Sequence, residues 1–593
     1  MRFSAMLLVQ DSRKENRARF VLAGAILTVF LTAFEVKTPV FSLGPVGFTT
    51  TELAAGFFFI TVAAWAMQEG LASFFSRRTL DVAVLLFVVS NFVSVIAADD
   101  RPSALKFSLR MTYAALIFVG VSRLPQRLRP HLWIAGTVTV ALIIVTLTGL
   151  LENYISFIYW PDILKPFQEG IITFGAFYNV RVASTLPFPT TLSMYLELAA
   201  PMALALAVWM IGRSKEQRRR QWLTVLAVIG LAAVMAVQVF TFTRSGLVAT
   251  PVSLLAGALA AAIFGYGRRV WMLFVTGAVL LSVIVVASTA VSSKMASRLD
   301  VAEQEKYYGA DYTLVSFPEK LTPDSRNTAV FHVKNTGSIT WGTEGNETVE
   351  VAYRWASYPD RVVHEEVPYI TTSMPREVQP GEEVDITLDF MTPVEPGRYV
   401  WIFELAKAHV GWFSSAGVAP YIVPLEFQGG EARRFAITDS PDDYLAKDPV
   451  TVQATRSQLW KAAFKTWKTN MVLGVGPDQF RRRYQEFAPE LPPDQRVRTH
   501  NIFMEALTNT GLVGLACMVF LLAATLFAQL RLVRNRRLKP SERYISLALL
   551  VATVAYVVHG MLDCFLWQTG IIFLFFTYLG LTSWMCQRAD ADQ

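Results

Sequence analysis

A short polar cluster stands directly before a long apolar stretch near the C-terminal end of the chain. Arg498, Thr499, His500 and Asn501 precede an apolar segment that reaches Leu530. If this segment crosses a bilayer, the cluster lies at the membrane surface, where an ionisable side chain is a candidate for function. Because histidine titrates near neutral pH and can take a proton from a hydroxyl group, His500 is the candidate catalytic base. The alternative is a histidine that caps or packs at a helix start.

Three arginines, Arg181, Arg244 and Arg456, are predicted on the same side of the membrane as His500. Arg244 stands in FTFTRSG, a connection of a few residues between two apolar runs, so its position is restricted. Guanidinium groups stay charged and bind phosphate oxygens in a fork, so two or three on one face would neutralise a diphosphate without a metal ion. The alternatives are snorkelling to lipid phosphate for Arg244 and pairing with neighbouring acids for Arg456.

Three further residues are candidates for supporting His500. Asn501 and Glu505 stand four residues apart on one helix face, where they either orient His500 or hydrogen-bond to each other. His559 and Asp563 are predicted to share a helix face at the outward end of the eleventh span. Asp563 either caps the tight turn there or supports the site.

The composition indicates a membrane protein that crosses the bilayer many times and carries some soluble mass. The chain of 593 residues is 53% hydrophobic and 17% charged, whereas soluble domains are about a quarter charged. Its three cysteines, Cys517, Cys564 and Cys586, all fall in apolar runs, so no disulfide framework is expected in an exported region. The net charge of +7 comes from short basic clusters between apolar runs, a pattern that orients membrane helices and does not indicate nucleic-acid binding.

About twelve apolar runs are long enough to cross a membrane, so the predicted fold class is mostly α. The first, from about Phe20, is interpreted as a retained span because no small-residue cleavage site follows it. The others lie near 51–67, 79–97, 105–121, 130–150, 188–212, 222–240, 247–264, 270–290, 502–530, 545–562 and 565–586.

The basic residues predict how these spans are oriented. Lys and Arg gather on alternate connections, at 77–78, 123–129, 213–220, 268–269 and 531–539. Such connections face the cytoplasm, so both termini are predicted there. The remaining connections are then outward, and His500 is on the outer face; these connections are 36–50, 98–104, 151–187, 241–246 and 291–500.

The long outward segment contains a predicted β-sandwich. Alternating β-rich runs are separated by turn signals such as Pro380-Gly381, at spacings typical of a sandwich. VKNTGSITW (333–341) and VQPGEEVDITLDFMTPVEPGRYVW (378–401) resemble the Ig-like domain first noted in autophagy receptors. The predicted strands are Ala329–Val333, Val349–Trp355, Val384–Phe390 and Tyr399–Leu405.

These features predict a chain of five parts. They are a membrane domain with spans 1–9 (1–290), an outward helical segment (291–316), an Ig-like β-sandwich (317–427), an outward helical loop that ends in the His500 motif (428–500), and a membrane domain with spans 10–12 (501–593).

The membrane part resembles the O-antigen ligase and polymerase superfamily in three motifs. These are Thr243-Arg244-Ser245; Arg456 and Trp460 followed by Gly474-Val475-Gly476; and His500, Asn501 and Glu505 followed by Gly511 and Gly514. The chain departs from the family in the sandwich and in Pro187-Phe188-Pro189, where relatives often have an Asn-rich turn.

The resemblance implies an inverting glycosyltransferase in the bacterial cytoplasmic (inner) membrane, with its large loop periplasmic or extracellular. The donor would be a glycan on polyprenyl (undecaprenyl) diphosphate, and the acceptor a hydroxyl of a glycan, lipid or protein. His500 would be the base, and Arg244, Arg456 and Arg181 would bind the diphosphate. No cofactor or metal is implied, and no Asp-x-Asp-like motif stands among these positions.

Other functions remain compatible with the sequence. A polymerase of repeat units shares the chemistry of a ligase. A polysaccharide transporter or flippase would also suit about twelve spans, although transport sites usually lie near the membrane midplane. A third hypothesis makes the sandwich a binding module on a membrane anchor.

Overall fold

The computed structural model describes most of the chain. The described residues are 2–35, 40–43, 46–69, 78–155, 167, 181–291, 308–337, 340–343, 348–364, 372–407, 411–414, 417–428, 430–444, 456–488 and 497–591. The chain divides into two compact units. One comprises Met1–Gly170, Arg181–Val285 and Ala454–Gln593, and the other comprises Ile171–Val180 and Val286–Gln453.

The first unit is helical. Long apolar segments form helices because a bilayer leaves backbone polar groups no partner except one another. Its helices are α1 (Arg2–Leu31), α2 (Thr50–Glu69), α3 (Thr79–Ser94), α4 (Arg101–Ser122), α5 (Pro130–Ile155), α6 (Pro189–Arg213), α7 (Gln217–Phe240), α8 (Arg244–Ile263), α9 (Arg268–Val291), α10 (Arg456–Lys468), α11 (Phe480–Phe487), α12 (Ile502–Arg534), α13 (Pro540–Gly560) and α14 (Thr569–Ala591). A short hairpin of β1 (Phe41–Leu43) and β2 (Val46–Phe48) follows α1.

Eleven helices in the described part of the chain, α2–α9 and α12–α14, are long and apolar enough to cross a membrane. They coincide with eleven of the twelve predicted spans, and the predicted first span falls in α1. Lipid-facing surfaces are visible on α5, where Val140, Ile143 and Leu147 are more than half exposed at helical spacing. By contrast, 94% of the apolar window of α14 is buried, so α14 lies at the centre of the bundle.

The second unit contains two antiparallel sheets. One has the order β3-β4-β7, and the other has the order β11-β10-β8-β5-β6 with β9 paired to β8. The strands are β3 (Ala310–Ser316), β4 (Arg326–Asn335), β5 (Val349–Ser357), β6 (Thr372–Ser373), β7 (Glu383–Met391), β8 (Gly397–Lys407), β9 (Gly411–Trp412), β10 (Tyr421–Gln428) and β11 (Glu431–Arg434). The four predicted strands fall within β4, β5, β7 and β8.

The two sheets share one aromatic core. Along β7, Val384, Ile386, Leu388 and Phe390 are buried while the residues between them are exposed or half-buried, which is the alternation of a strand with one covered face. Across the core, the rings of Phe331 on β4 and Phe403 on β8 stack with their centroids 3.6 Å apart.

The sheets extend beyond the predicted sandwich. Residues 310–316, assigned above to a helical segment, form β3, because Tyr312 and Leu314 pack on the same core. At the other end, β11 adds residues 431–434, which the sequence analysis placed in the helical loop. The rest of the predicted segment 291–316, from 292 to 307, lies outside the described residues.

Helix α12 is interrupted where a loop docks against it. Gly511 has a backbone φ of 66° and ψ of −166° inside the helix, a conformation that is essentially restricted to glycine. The loop after α10 fills the break, because the amides of Val475 and Gly476 donate to the carbonyls of Thr508 and Asn509. The two glycine motifs noted in the sequence are therefore two halves of one backbone contact, which fixes α10 against the first turns of α12.

We expect Gly511→Ala to destabilise the protein. An added Cβ would lie 2.2 Å from the carbonyl oxygen of Val472, and the positive φ alone costs on the order of 1–3 kcal/mol for other residues. The control is Gly230→Ala on α7, where a Cβ meets nothing within 4 Å; there a gain of about 0.5–1 kcal/mol is expected. Thermal unfolding in detergent measures both, and equal midpoints for the two variants would contradict the docking role of Gly511.

Candidate active site

His500 lies in the turn before α12 and contacts Asp563. Its Nδ1 is 3.0 Å from Oδ1 of Asp563, and the two side chains are 39% and 11% exposed. Because an ionised carboxylate only accepts hydrogen bonds, Nδ1 carries the proton and donates it. In the neutral ring Nε2 is then the basic nitrogen. The pair therefore holds His500 in the tautomer that a general base needs.

Asp563 lies beyond the end of α13. The helix ends at Gly560, and the amides of Leu562 and Asp563 bond to the carbonyl of His559, so the prediction that His559 and Asp563 share a helix face is wrong. Oδ1 of Asp563 also accepts the amide of Cys564 at 2.8 Å. The carboxylate of Asp563 thus caps its own turn and also holds His500. These two roles were alternatives in the sequence analysis, and the structure shows both contacts. Burial raises the pKa of Asp563, but the hydrogen bond and charge of His500 outweigh it and leave the pKa below its usual value of 3.8.

Asn501 and Glu505 fix the backbone on either side of His500. Asn501 caps α12 by accepting the amides of Phe503 and Met504, and its Nδ2 donates to the carbonyl of Met561 at 2.9 Å. Glu505 accepts the amide and the hydroxyl of Thr499 at 3.1 and 2.9 Å. Both side chains therefore hold the turn that carries His500, which has a φ of 49°.

Arg181 reaches the turn between α7 and α8. Its Nε donates to the carbonyl of Thr241 at 2.9 Å, and its Nη2 donates to Oγ1 of Thr243 at 3.2 Å. Burial lowers the pKa of Arg181 to about 10, while the charge of Asp563 raises it and the charge of Arg244 lowers it. Arg181 is therefore cationic at neutral pH and lies within electrostatic reach of both groups.

Arg244 and Arg456 each begin a helix. Arg244 is the first residue of α8, and its Nε and Nη2 are buried without a hydrogen-bond partner. Arg456, the first residue of α10, is half-buried and acts electrostatically on Arg244. Buried donors without partners are costly, so the guanidinium of Arg244 is prepared for an anionic ligand.

The predicted site residues therefore come together in one unit. Electrostatic contact connects Arg456 to Arg244, Arg244 to Arg181, and Arg181 to Asp563, and a hydrogen bond connects Asp563 to His500. Three helices begin at this place, α8 at Arg244, α10 at Arg456 and α12 after Asn501, and helix N-termini carry partial positive charge. The arrangement places an imidazole that can take up a proton near positive charges that can attract an anion.

The sequence did not predict how Arg498, Asp478 and Trp460 support the turn that carries His500. Arg498 pairs with Asp478 at 2.6 Å and lies over the ring of Trp567, whose loop carries Asp563. Burial raises the pKa of Asp478, but the charges of Arg498 and Arg481 leave it below its usual value. Trp460 of α10 donates its Nε1 to the carbonyl of Thr499 at 2.8 Å. Arg498 and Trp460 already stand in the cluster and the motif named from the sequence, and Asp478 stands two residues after Gly476.

A comparison with known protein families finds a match in the segment that contains His500. Residues 399–519 match the family described as O-antigen ligase. The predicted resemblance to O-antigen ligases is confirmed for this segment. It contains Arg456, His500, Asn501 and Glu505, whereas Arg181, Arg244 and Asp563 lie outside it. The O-antigen ligase match and the many apolar helices together support a membrane protein of the ligase or polymerase type.

A second match concerns the sheets. Residues 315–415 match the family described as the Ig-like domain from next to BRCA1 gene, so the Ig-like resemblance is confirmed as well. The two matches overlap at residues 399–415, which include most of β8. A search of curated proteins finds no significant match.

Replacing Asp563 with asparagine tests the electrostatic part of the His500 pair. Because a hydrogen bond to a charged group contributes about 1.5–3 kcal/mol, Asp563→Asn should lower the thermal midpoint at neutral pH. The folded-state pKa of Asp563 is below 3.8, so the wild-type advantage should be complete above that pH and vanish as the pH falls further. Asp590→Asn, in an exposed pair with Arg78 and Arg531, should change little. Equal effects of the two variants at neutral pH would contradict the pairing.

Proposed function

We propose that this protein is a membrane glycosyltransferase of the O-antigen ligase type. It transfers a glycan from polyprenyl diphosphate to an acceptor hydroxyl, with inversion at the anomeric carbon. The observation that carries the proposal is the hydrogen-bonded pair of His500 and Asp563 beside the unpartnered guanidinium of Arg244. A base next to a cationic surface is what displacement of a diphosphate leaving group requires.

The reaction follows from the tautomer of His500. Nε2 takes the proton of the acceptor hydroxyl, and the acceptor oxygen attacks the anomeric carbon opposite the diphosphate. The bond between the anomeric carbon and the phosphate oxygen breaks, and its electron pair leaves with the diphosphate. Asp563 stabilises the imidazolium that forms, because its negative charge lies 3.0 Å from Nδ1.

The arginines would stabilise the leaving group. Arg244 offers donors that have no partner in the protein, and Arg456 adds a second charge at an adjacent helix start. Arg181 is more restrained by its bonds to Thr241 and Thr243, so we assign it the lesser share of the diphosphate. These charges would perform the role that a metal ion has in other transferases, and the proposed mechanism is metal-independent.

The site is proposed on the outer face of the cytoplasmic membrane. The alternation of basic connections supports this orientation, with both termini in the cytoplasm. The clustering of the arginines around His500 favours transfer over transport, because transport sites usually lie at the midplane between repeated halves.

Ligation and polymerisation differ in their products. A ladder of growing lipid-linked oligosaccharide indicates a polymerase, whereas a single capped acceptor indicates a ligase, which we favour because the motif around His500 is strongest in ligases. Transfer by purified protein in detergent, without a second compartment, separates either enzyme from a flippase. A variant lacking residues 310–434, the full extent of the two sheets, that kept its activity would limit the sandwich to docking or acceptor choice.

His500→Ala should abolish transfer while the protein still inserts into the membrane, because it removes the base without burying a new charge. The assay uses purified protein with donor and acceptor lipids extracted from host membranes. His332→Ala is the matched control, since His332 is a half-exposed histidine on β4, paired with Asp385 and Glu383. Full transfer by the His500 variant would refute the proposal.

Arg244→Ala should lower kcat by about 100-fold or more, as expected for loss of one donor to the developing charge. Arg244→Lys should recover only part of the rate, because an ammonium group lacks the planar fork. The control is Arg268→Ala, which removes an exposed arginine from the first position of α9. If both alanine variants keep the wild-type kcat and KM for the donor, Arg244 does not bind the diphosphate.

A further inference from the structure

The imidazole of His559 and the carboxylate of Glu197 are buried together inside the helical bundle. Nδ1 of His559 on α13 lies 2.9 and 3.1 Å from the two carboxylate oxygens of Glu197 on α6. The side chains are 0% and 1% exposed. Ionisable side chains inside a membrane domain are expensive and commonly functional, and the proposed reaction does not yet use this pair.

The hydrogen bonds around Glu197 show that it accepts from every neighbour. Gln238 on α7 and Thr250 on α8 donate to Oε1 at 3.1 and 3.2 Å, and the hydroxyl of Ser193 lies 3.5 Å away. A carboxylate suits this environment because it has only acceptor sites. Nδ1 of His559 is therefore the donor in the pair, and four helices are tied together at Glu197.

The pair connects to the candidate site through the end of α13. The carbonyl of His559 accepts the amides of Leu562 and Asp563 at 2.8 and 2.9 Å. The ring of His559 also packs edge-on against Phe565, with centroids 4.8 Å apart. The turn that presents Asp563 to His500 is thus built directly on His559, whose ring is held by Glu197.

The first turn of α8 packs against the polar cluster around Glu197. A Cβ on Gly246 would lie 2.0 Å from Oγ of Ser193 and 2.4 Å from Nε2 of Gln238. Gly246 therefore allows α8 to approach the polar cluster closely, two residues after Arg244 along the chain. The turn with Asp563 and the start of α8 are both supported by one buried cluster.

We propose that the Glu197–His559 pair is a positioning device that holds Asp563 in line with His500. Its role rests on the proposed transfer reaction. Nε2 of His559 is buried without a hydrogen-bond partner, so the ring is restrained by Glu197 through Nδ1 and by packing on Phe565. Loss of the restraint would let the turn after α13 shift, and a displacement of about 1 Å can reduce a rate by about 100-fold.

The pair also acts on the charge of Asp563. Three charged groups from different segments act on this carboxylate, namely His500, His559 and Arg181. The charge of His559 contributes to keeping the pKa of Asp563 low. Removing it should raise that pKa, so Asp563 would become protonated, and lose its hold on His500, at a higher pH than in the wild type.

The test compares Glu197→Gln and His559→Gln with Thr553→Val. Thr553 lies on α13 as well, where its hydroxyl accepts from Gln529 in another buried polar contact. With purified protein and lipid-linked glycan extracted from host membranes, kcat should fall about 100-fold in the two test variants. Adding Asp563→Asn to either test variant should lower kcat little further, because the pair acts through Asp563, and Thr553→Val should leave kcat unchanged.

The outcomes separate this inference from the proposed function. If the wild type transfers glycan and both test variants match Thr553→Val in kcat, or if their losses add fully to that of Asp563→Asn, the positioning role is wrong while the proposed function stands. If the wild-type protein transfers no glycan, the positioning role and the proposed function are both wrong. Should a single variant fail to insert, the double variant Glu197→Gln/His559→Asn keeps polar side chains without either charge. A wild-type kcat in that double variant would equally overturn the role.

Discussion

The hydrogen bond between His500 and Asp563 is the interaction on which the rest of the site depends. It joins the turn before α12 to the turn after α13, and each turn is held separately. Glu505 and Asn501 secure the first turn through backbone and side-chain bonds, and Asn501 also reaches across to the second at Met561. Because both turns are anchored, His500 remains half-exposed toward a reactant while its Nδ1 stays bonded.

The positive charges of three arginines near the His500–Asp563 pair destabilise the same part of the protein. Arg244 repels both Arg181 and Arg456. Within the described residues the one acid shown acting on these arginines is Asp563, which already serves His500. Like charges held together in a partly apolar place destabilise the unliganded protein. In the proposed reaction, a bound diphosphate would relieve that repulsion and would offset the cost of holding the arginines together.

Local signals in the sequence predicted the parts, and long-range packing determined their assembly. Apolar length predicted about twelve spans, eleven of which coincide with helices long enough to cross a membrane. Alternation predicted β4, β5, β7 and β8, because both patterns are read within a few residues. β3 was missed since its short alternation gains a buried face only from distant strands. The break at Gly511 and the Glu197–His559 pair were likewise invisible, because each depends on a partner far away in the chain. His500 and Asp563 were both named from the sequence, yet only the folded turn after Gly560 shows them bonded.

In the proposed reaction, His500 activates the acceptor for a single displacement at the anomeric carbon. The most direct measurement is the anomeric configuration of the transferred sugar, determined by NMR of donor and product from the purified reaction. We expect the configuration in the product to be opposite to that in the diphosphate donor. Retention of configuration would contradict it, because retention requires a second displacement through a glycosylated side chain.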